Sequence, residues 1–221
     1  KTCWIRWALE NFRLSIELSE PNSFVYYRIA KCYIKINNKK LFIDFIKKSV
    51  REEPGNEKAW IFLIKYYLKN NNFRQAKYLS SKALINNHNS IKILRLNAII
   101  HKEIGDTREA IKFYNQILDF KENLSWKIWK GLLICLIDNK EWSELLRTSL
   151  KAKKHYPNKA FLDFIISGCL LKNGKINEAI YFYQSGKKTC QVPEKLIKYF
   201  PEFNENKTLL VWFSFKIRDV K

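Results

Sequence analysis

Glycine, proline and methionine are scarce in this chain of 221 residues, which holds 6 Gly, 5 Pro and no Met. So few chain breakers argue against a body of many short strands and suit long helices joined by tight turns. The five cysteines are odd in number and form no Cys-x2-Cys pair, which argues against both a disulfide framework and a zinc site. No run of roughly 18 apolar residues occurs, so no segment is expected to span a membrane. Chemical motifs are missing too: no Gly-rich phosphate loop, no Gly-x-Ser-x-Gly, no His-Glu-x2-His and no paired acidic metal motif. The histidines, His88, His101 and His155, are scattered. The expectation is a protein with no catalytic residues, no metal and no cofactor.

What is present is apolar bulk and positive charge. The composition is 47% hydrophobic and 15% aromatic, enough to build a continuous core and far from that of a disordered chain. Lys and Arg number 41 against 21 Asp and Glu, a formal charge of +20. Such an excess attracts acidic peptides, nucleic acid or anionic lipid if it is clustered, and is only a solvated face if it is not. The free cysteines favour a reducing compartment, so a cytoplasmic location is expected.

The chain also repeats itself. Trp60-x2-Leu63-x3-Tyr67, followed by Ala76 and Ala83, gives way 34 residues later to Ala98, Gly105-Asp106, Ala110 and Tyr114. Cycles start at Ser23, Glu57 and Ile91; one extra residue between Lys121 and Ser125 moves the next starts to Trp126 and Ala160. Asn70-Asn71-Asn72, Gly105-Asp106, Asp138-Asn139-Lys140 and Asn173-Gly174 supply turn residues midway, and Pro54 and Pro157 close the second halves. A period of 34 with this order of aromatic, Leu, Tyr, Ala and Pro resembles the tetratricopeptide repeat. The resemblance covers about residues 5 to 190. Ile64, Phe42 and Leu145 replace small residues of the pattern, and His88 replaces its proline.

The resemblance implies an all-α, right-handed α-solenoid of stacked helix-turn-helix units. The expected boundaries are a solenoid over 1–192 and a capping or docking segment over 193–221. Within the solenoid a partial first repeat spans 1–22, and full repeats span 23–56, 57–90, 91–125, 126–159 and 160–192. Cys32, Cys135 and Cys169 share the tenth position and read as core filler. Ile5 to Leu18 reads as the second half of a broken repeat, and the chain opens without Met, so a further segment upstream is expected. Pro193 to Phe200 reads as a short helix; Thr208 to Lys221 fits either a strand or a capping helix.

Five positions of each first helix line the groove in the family this chain resembles. The residues there that are expected to touch a partner are Tyr27, Lys31 and Lys35, then Lys58, Lys65 and Lys69. Lys92, Arg95 and Lys102 follow in the next repeat, then Lys127 and Lys130, and last the apolar Phe161 and Phe164. Cations dominate. The family's two-carboxylate clamp would need Lys, Asn, Asn, Lys and Arg; the places read Tyr27, Lys31, Phe62, Lys92 and Leu96, which disfavours a chaperone-tail ligand. The expected function is a non-catalytic scaffold holding an acidic or amphipathic segment of a protein partner. Single-stranded RNA on the same face, a docking arm of a larger enzyme or signalling protein, and a homo-oligomer stay open as alternatives.

Overall fold

The computed structural model describes residues 2–18, 22–120 and 124–203, so the Thr208 to Lys221 segment lies outside the described residues. Among the described residues there are helices and no strands. The helices are α1 (Thr2–Leu18), α2 (Ser23–Lys35), α3 (Lys39–Glu52), α4 (Glu57–Lys69), α5 (Phe73–Asn86), α6 (Ile91–Glu103) and α7 (Thr107–Phe120). They continue with α8 (Trp126–Asp138), α9 (Trp142–His155), α10 (Ala160–Lys172), α11 (Ile176–Lys187) and the short α12 (Glu194–Ile197), followed by a 3₁₀ turn, Pro201–Phe203. The first helices of the hairpins, α2, α4, α6, α8 and α10, begin at the residues where the sequence cycles begin.

One turn geometry joins the two helices of every hairpin. At the fifteenth place of each cycle the backbone is left-handed: Asn37 (φ 60°), Asn71 (55°), Gly105 (86°), Lys140 (59°) and Gly174 (71°). The next amide donates back to the carbonyl five residues earlier in all five turns: Asn38 to Tyr33, Asn72 to Tyr67, Asp106 to His101, Glu141 to Leu136 and Lys175 to Leu170. This bond satisfies a carbonyl that the helix end would otherwise orphan. Gly, Asn and Asp tolerate the left-handed region; Lys140 adopts it against its preference, in a turn where Asn139 is the neighbour better suited to it.

Helix starts are secured by side chains. Asn22, Asn38, Asn56, Asn72 and Ser90 accept the amides of Val25, Leu41, Ala59, Gln75 and Ile93 at 3.0 to 3.2 Å. Asp106 accepts the amide of Glu109. Asn72 and Asp106, which the sequence suggests only as turn residues, are therefore N-caps. Each such cap contributes about 1 kcal/mol.

The core lies where small residues recur. Ala30, Ala98 and Ser167 of the first helices and Ala76, Ala110, Ala179, Ala83 and Ala152 of the second are fully buried. Ile64, Phe42 and Leu145, the larger replacements, are buried just as completely. Phe42 uses its bulk against Phe62 and Tyr66, with ring centroids 5.3 and 4.7 Å away; burying a side chain of this kind contributes about 2–3 kcal/mol. Cys135 and Cys169 are buried as core filler, and Cys32 is half-buried.

The chain divides into two compact units, Lys1–Phe120 and Lys121–Lys221, where one solenoid over 1–192 with a separate tail is expected from the sequence. The division falls where the cycle gains its extra residue. Residues 193–203 belong to the second unit and pack on it through Phe200 and Phe203, both fully buried. The short helix here ends at Ile197, earlier than expected, and Pro201 opens the 3₁₀ turn.

Candidate partner-binding surface

In the first unit α2, α4 and α6 carry the predicted face. Tyr27 of α2 meets Phe62 of α4 edge-on at 5.9 Å, and Lys31 lies 5.5 Å above the Tyr27 ring. Around this aromatic pair Lys35, Lys58, Lys65 and Lys69 are exposed, and Lys31 is half-buried. Among the described residues no ion pair reaches any of these five lysines. Lys31 with Lys35 and Lys65 with Lys69 stand four apart on their helices, where like charges repel by a few tenths of a kcal/mol. Arg95 adds a half-buried guanidinium whose Nε is buried without a hydrogen-bond partner. Buried charged donors of that kind ordinarily find an acceptor.

Two predicted cations come with partners of their own. Lys92 Nζ sits 3.1 Å from Glu57 Oε2. Burial raises the Glu57 carboxyl, but the bonds from Ser90 and Lys92 outweigh it and hold the group below its ordinary value. Lys102 stands 3.6 Å from Glu103. The Lys92 partner lies one cycle back in sequence, so only the stacking of the helices brings it into range.

At the end of this face Trp4, Ile5, Ala8 and Phe12 of α1 and Arg28, Lys31, Cys32 and Lys35 of α2 line a cavity of about 300 Å³. Burial pushes the Cys32 thiol up more than Lys35, Arg28 and Lys31 pull it down, so the thiol stays protonated and a poor nucleophile. Arg28 and Phe62 both occupy the sixth place of a cycle, outside the family's five groove positions; the sequence marks Phe62 only as a place where the two-carboxylate clamp fails, and Arg28 not at all. His101 is also explained: its Nδ1 lies 3.1 Å from Asp106 Oδ2, inside the turn. Burial raises the Asp106 carboxyl, but the His101 bond and the Glu109 amide outweigh it, leaving the group lowered.

In the second unit Lys127 and Lys130 are exposed on α8. Phe161 is half-buried, with Trp126 edge-on at 6.1 Å and Lys130 at 5.7 Å. Phe164 corrects the expectation. It has no exposed surface, because Gly186, Tyr183 and Phe203 enclose its ring. Gly168, one turn further along α10, is covered by Phe200: a Cβ there would lie 2.4 Å from that ring. Tyr199 donates to Asp138 Oδ1 at 2.6 Å, and Lys195 stands 3.7 Å from the same oxygen. The apolar end expected to receive a partner thus already holds residues 193–203 of the chain itself.

The described residues include no group of His, Cys, Asp or Glu arranged to hold a metal, and no helix among them is long and apolar enough to cross a membrane. Residues 25–56 match the family model described as tetratricopeptide repeat. No curated protein matches the chain in sequence. Among solved structures it is similar to YrrB, described as a TPR protein with an unusual peptide-binding site, at 14% identity and TM-score 0.66, over 94% of this chain and 99% of that one. It is similar to the MamA protein at 14% identity and TM-score 0.64, over 76% and 91%. A third likeness, to a chain in the structure of Naa15/Naa10 bound to HypK-THB, has 14% identity and TM-score 0.58 and covers 82% of this chain but 28% of that one. At such identities the likeness is one of fold.

Proposed function

Because this chain is a tetratricopeptide-repeat protein, we propose that it is a non-catalytic scaffold whose α2, α4 and α6 face holds an acidic or amphipathic segment of a partner protein. One observation carries the reading: five lysines without ion pairs among the described residues stand at helical spacing from Tyr27 on α2 or Phe62 on α4, the two rings that meet edge-on. Cations of this kind steer an acidic ligand and set its register, while buried aromatic and aliphatic contacts supply most of the affinity. Arg95 of α6 adds a half-buried guanidinium to the cations of this face. YrrB, whose fold is similar, has a peptide-binding site, which is consistent with this use of the architecture. The thiols of Cys32, half-buried, and Cys169, buried, fit a cytoplasmic setting.

The test is fluorescence anisotropy with a labelled peptide of alternating Glu and Phe, held extended by proline. Lys31→Glu, Lys65→Glu and Lys69→Glu together are expected to weaken binding by about tenfold or more, ~1.4 kcal/mol, with unchanged helical circular dichroism. Unchanged affinity would remove this face from consideration. Preferential binding of an oligouridylate, weakening steeply with salt, would replace the peptide reading by a nucleic-acid one.

A further inference from the structure

A groove in the first unit lies between the second helices of two successive hairpins, α3 and α5, with α4 as its floor. Its volume is about 560 Å³, within the range of roughly 300–1,000 Å³ that ligand sites occupy. Val50, Trp60 and Leu79 form the apolar bottom, each nearly buried. The Trp60 indole N–H donates to the Pro54 carbonyl at 2.8 Å and so fixes the ring as part of a preformed wall.

Two features of the rim set this groove apart from ordinary surface. Tyr78 and Ile85 of α5 line it while 53% and 76% exposed, so a large apolar area continues from the floor out to solvent. Lys47 and Arg51 of α3 and Lys82 of α5 stand around that area, no carboxylate lines it, and among the described residues none of the three has an ion pair. Lys82 instead lies 4.6 Å above the exposed Tyr78 ring. An apolar patch rimmed by polar groups marks an interaction site, and the sign of this rim specifies the ligand's charge.

We propose that this groove is a second docking site, separate from the α2, α4 and α6 face, and that its occupant is an acidic amphipathic helix of a partner protein. The lining residues of α5 recur from Gln75 to Asn86 at helical spacing, a length matched by about three turns of a ligand helix at ~1.5 Å per residue. Apolar side chains at three- and four-residue spacing would enter the floor between Val50 and Leu79. Their flanking carboxylates would meet Lys47 and Arg51 on one side and Lys82 on the other. Aliphatic and indole surface at the bottom favours side chains over stacked bases. This site does not depend on the reading of the α2, α4 and α6 face, and each can fail alone.

The probe is a labelled synthetic helix of about four turns with Leu at helical spacing and Glu elsewhere. A scrambled peptide of equal composition, a Lys-for-Glu version and an oligouridylate serve as comparators. Saturable binding is expected to fall about tenfold or more with Lys47→Glu, Arg51→Glu and Lys82→Glu combined. Ile85→Ser, at a position too exposed to affect folding, is expected to weaken it several-fold. Lys31→Glu, Lys65→Glu and Lys69→Glu should leave it within about twofold. The proposal is overturned by absence of saturable binding, by equal binding of the scrambled peptide, by loss only in the Lys31, Lys65 and Lys69 variant, or by preference for the oligouridylate.

Discussion

In the first unit the starts of α2 to α7 are capped by side chains, and in the second, among the described residues, the starts of α8 to α11 are not. Six consecutive helix starts from α2 to α7 are held by Asn22, Asn38, Asn56, Asn72, Ser90 and Asp106. At the corresponding starts of α8 to α11 stand Ser125, Glu141, Lys159 and Lys175, and none makes a side-chain cap bond. The second unit relies instead on burial. Residues 162–170 of α10 are all buried, an all-round burial that a helix at the end of a stack would lack without a cover. Residues 193–203 provide that cover. The comparison shows one hairpin geometry supported in two ways: by local hydrogen bonds in one unit, by a folded-back apolar segment in the other.

The same cover sets the surfaces of the two units apart. In the first, Lys31, Lys65 and Lys69 have no ion pair among the described residues; in the second, Phe164 and Gly168 are covered by Phe203 and Phe200. If burial by the folded-back segment is what supports α10, Phe200→Ala should be the most damaging change, costing about 3–5 kcal/mol. Hydrogen exchange should then show lost protection in α10 and unchanged protection in α2 to α6; a uniform loss would break the contrast.

Tyr199 gives a smaller, pH-dependent effect. Its bond to Asp138, then burial, raise the phenol to about 12 from 10.0. A folded value above the unfolded one favours the protonated phenol in the folded state, so the contribution is complete below pH 10 and fades as pH rises through about 12. Tyr199→Phe should cost about 1.5–3 kcal/mol near neutral pH. The gap between it and the parent protein in urea unfolding should close in strong alkali; a gap constant with pH would sink this assignment.

Smallest is the exchange of caps. Asn72→Ala should lose about 1 kcal/mol, whereas Lys175→Asn, at the equivalent place in the second unit, should gain up to about 1 kcal/mol. Thermal unfolding of the pair measures both. A gain at Lys175 and loss at Asn72 would show that the second unit can accept the first unit's local device.

The hairpin starts were legible because packing repeats with the sequence: small residues recur where helices touch, so the period marks each helix. The caps were legible in principle. Asn or Ser before the cycles that start at Ser23, Glu57 and Ile91, and Asn or Asp after the first three turns, form a regular signal, yet these residue types serve turns and caps alike, so the sequence by itself does not separate the two meanings. Phe164 was not legible. Its groove position is set by the helix, but its exposure is set by Phe203, 39 residues downstream. Lys92 is a milder case, since its charge is answered by Glu57 one cycle away.

By itself, then, the sequence determined where the helices of the hairpins begin, where each hairpin turns, and that the charged groove positions of the first helices are mostly cations; these follow from local geometry and from a period that packing imposes. Only the tertiary structure decided which of those cations remain unpaired, that the last apolar face is filled by residues 193–203, and that a basic groove opens between α3 and α5. Pairing, coverage and grooves depend on through-space distances between residues far apart in the chain, and no one-dimensional period encodes those distances.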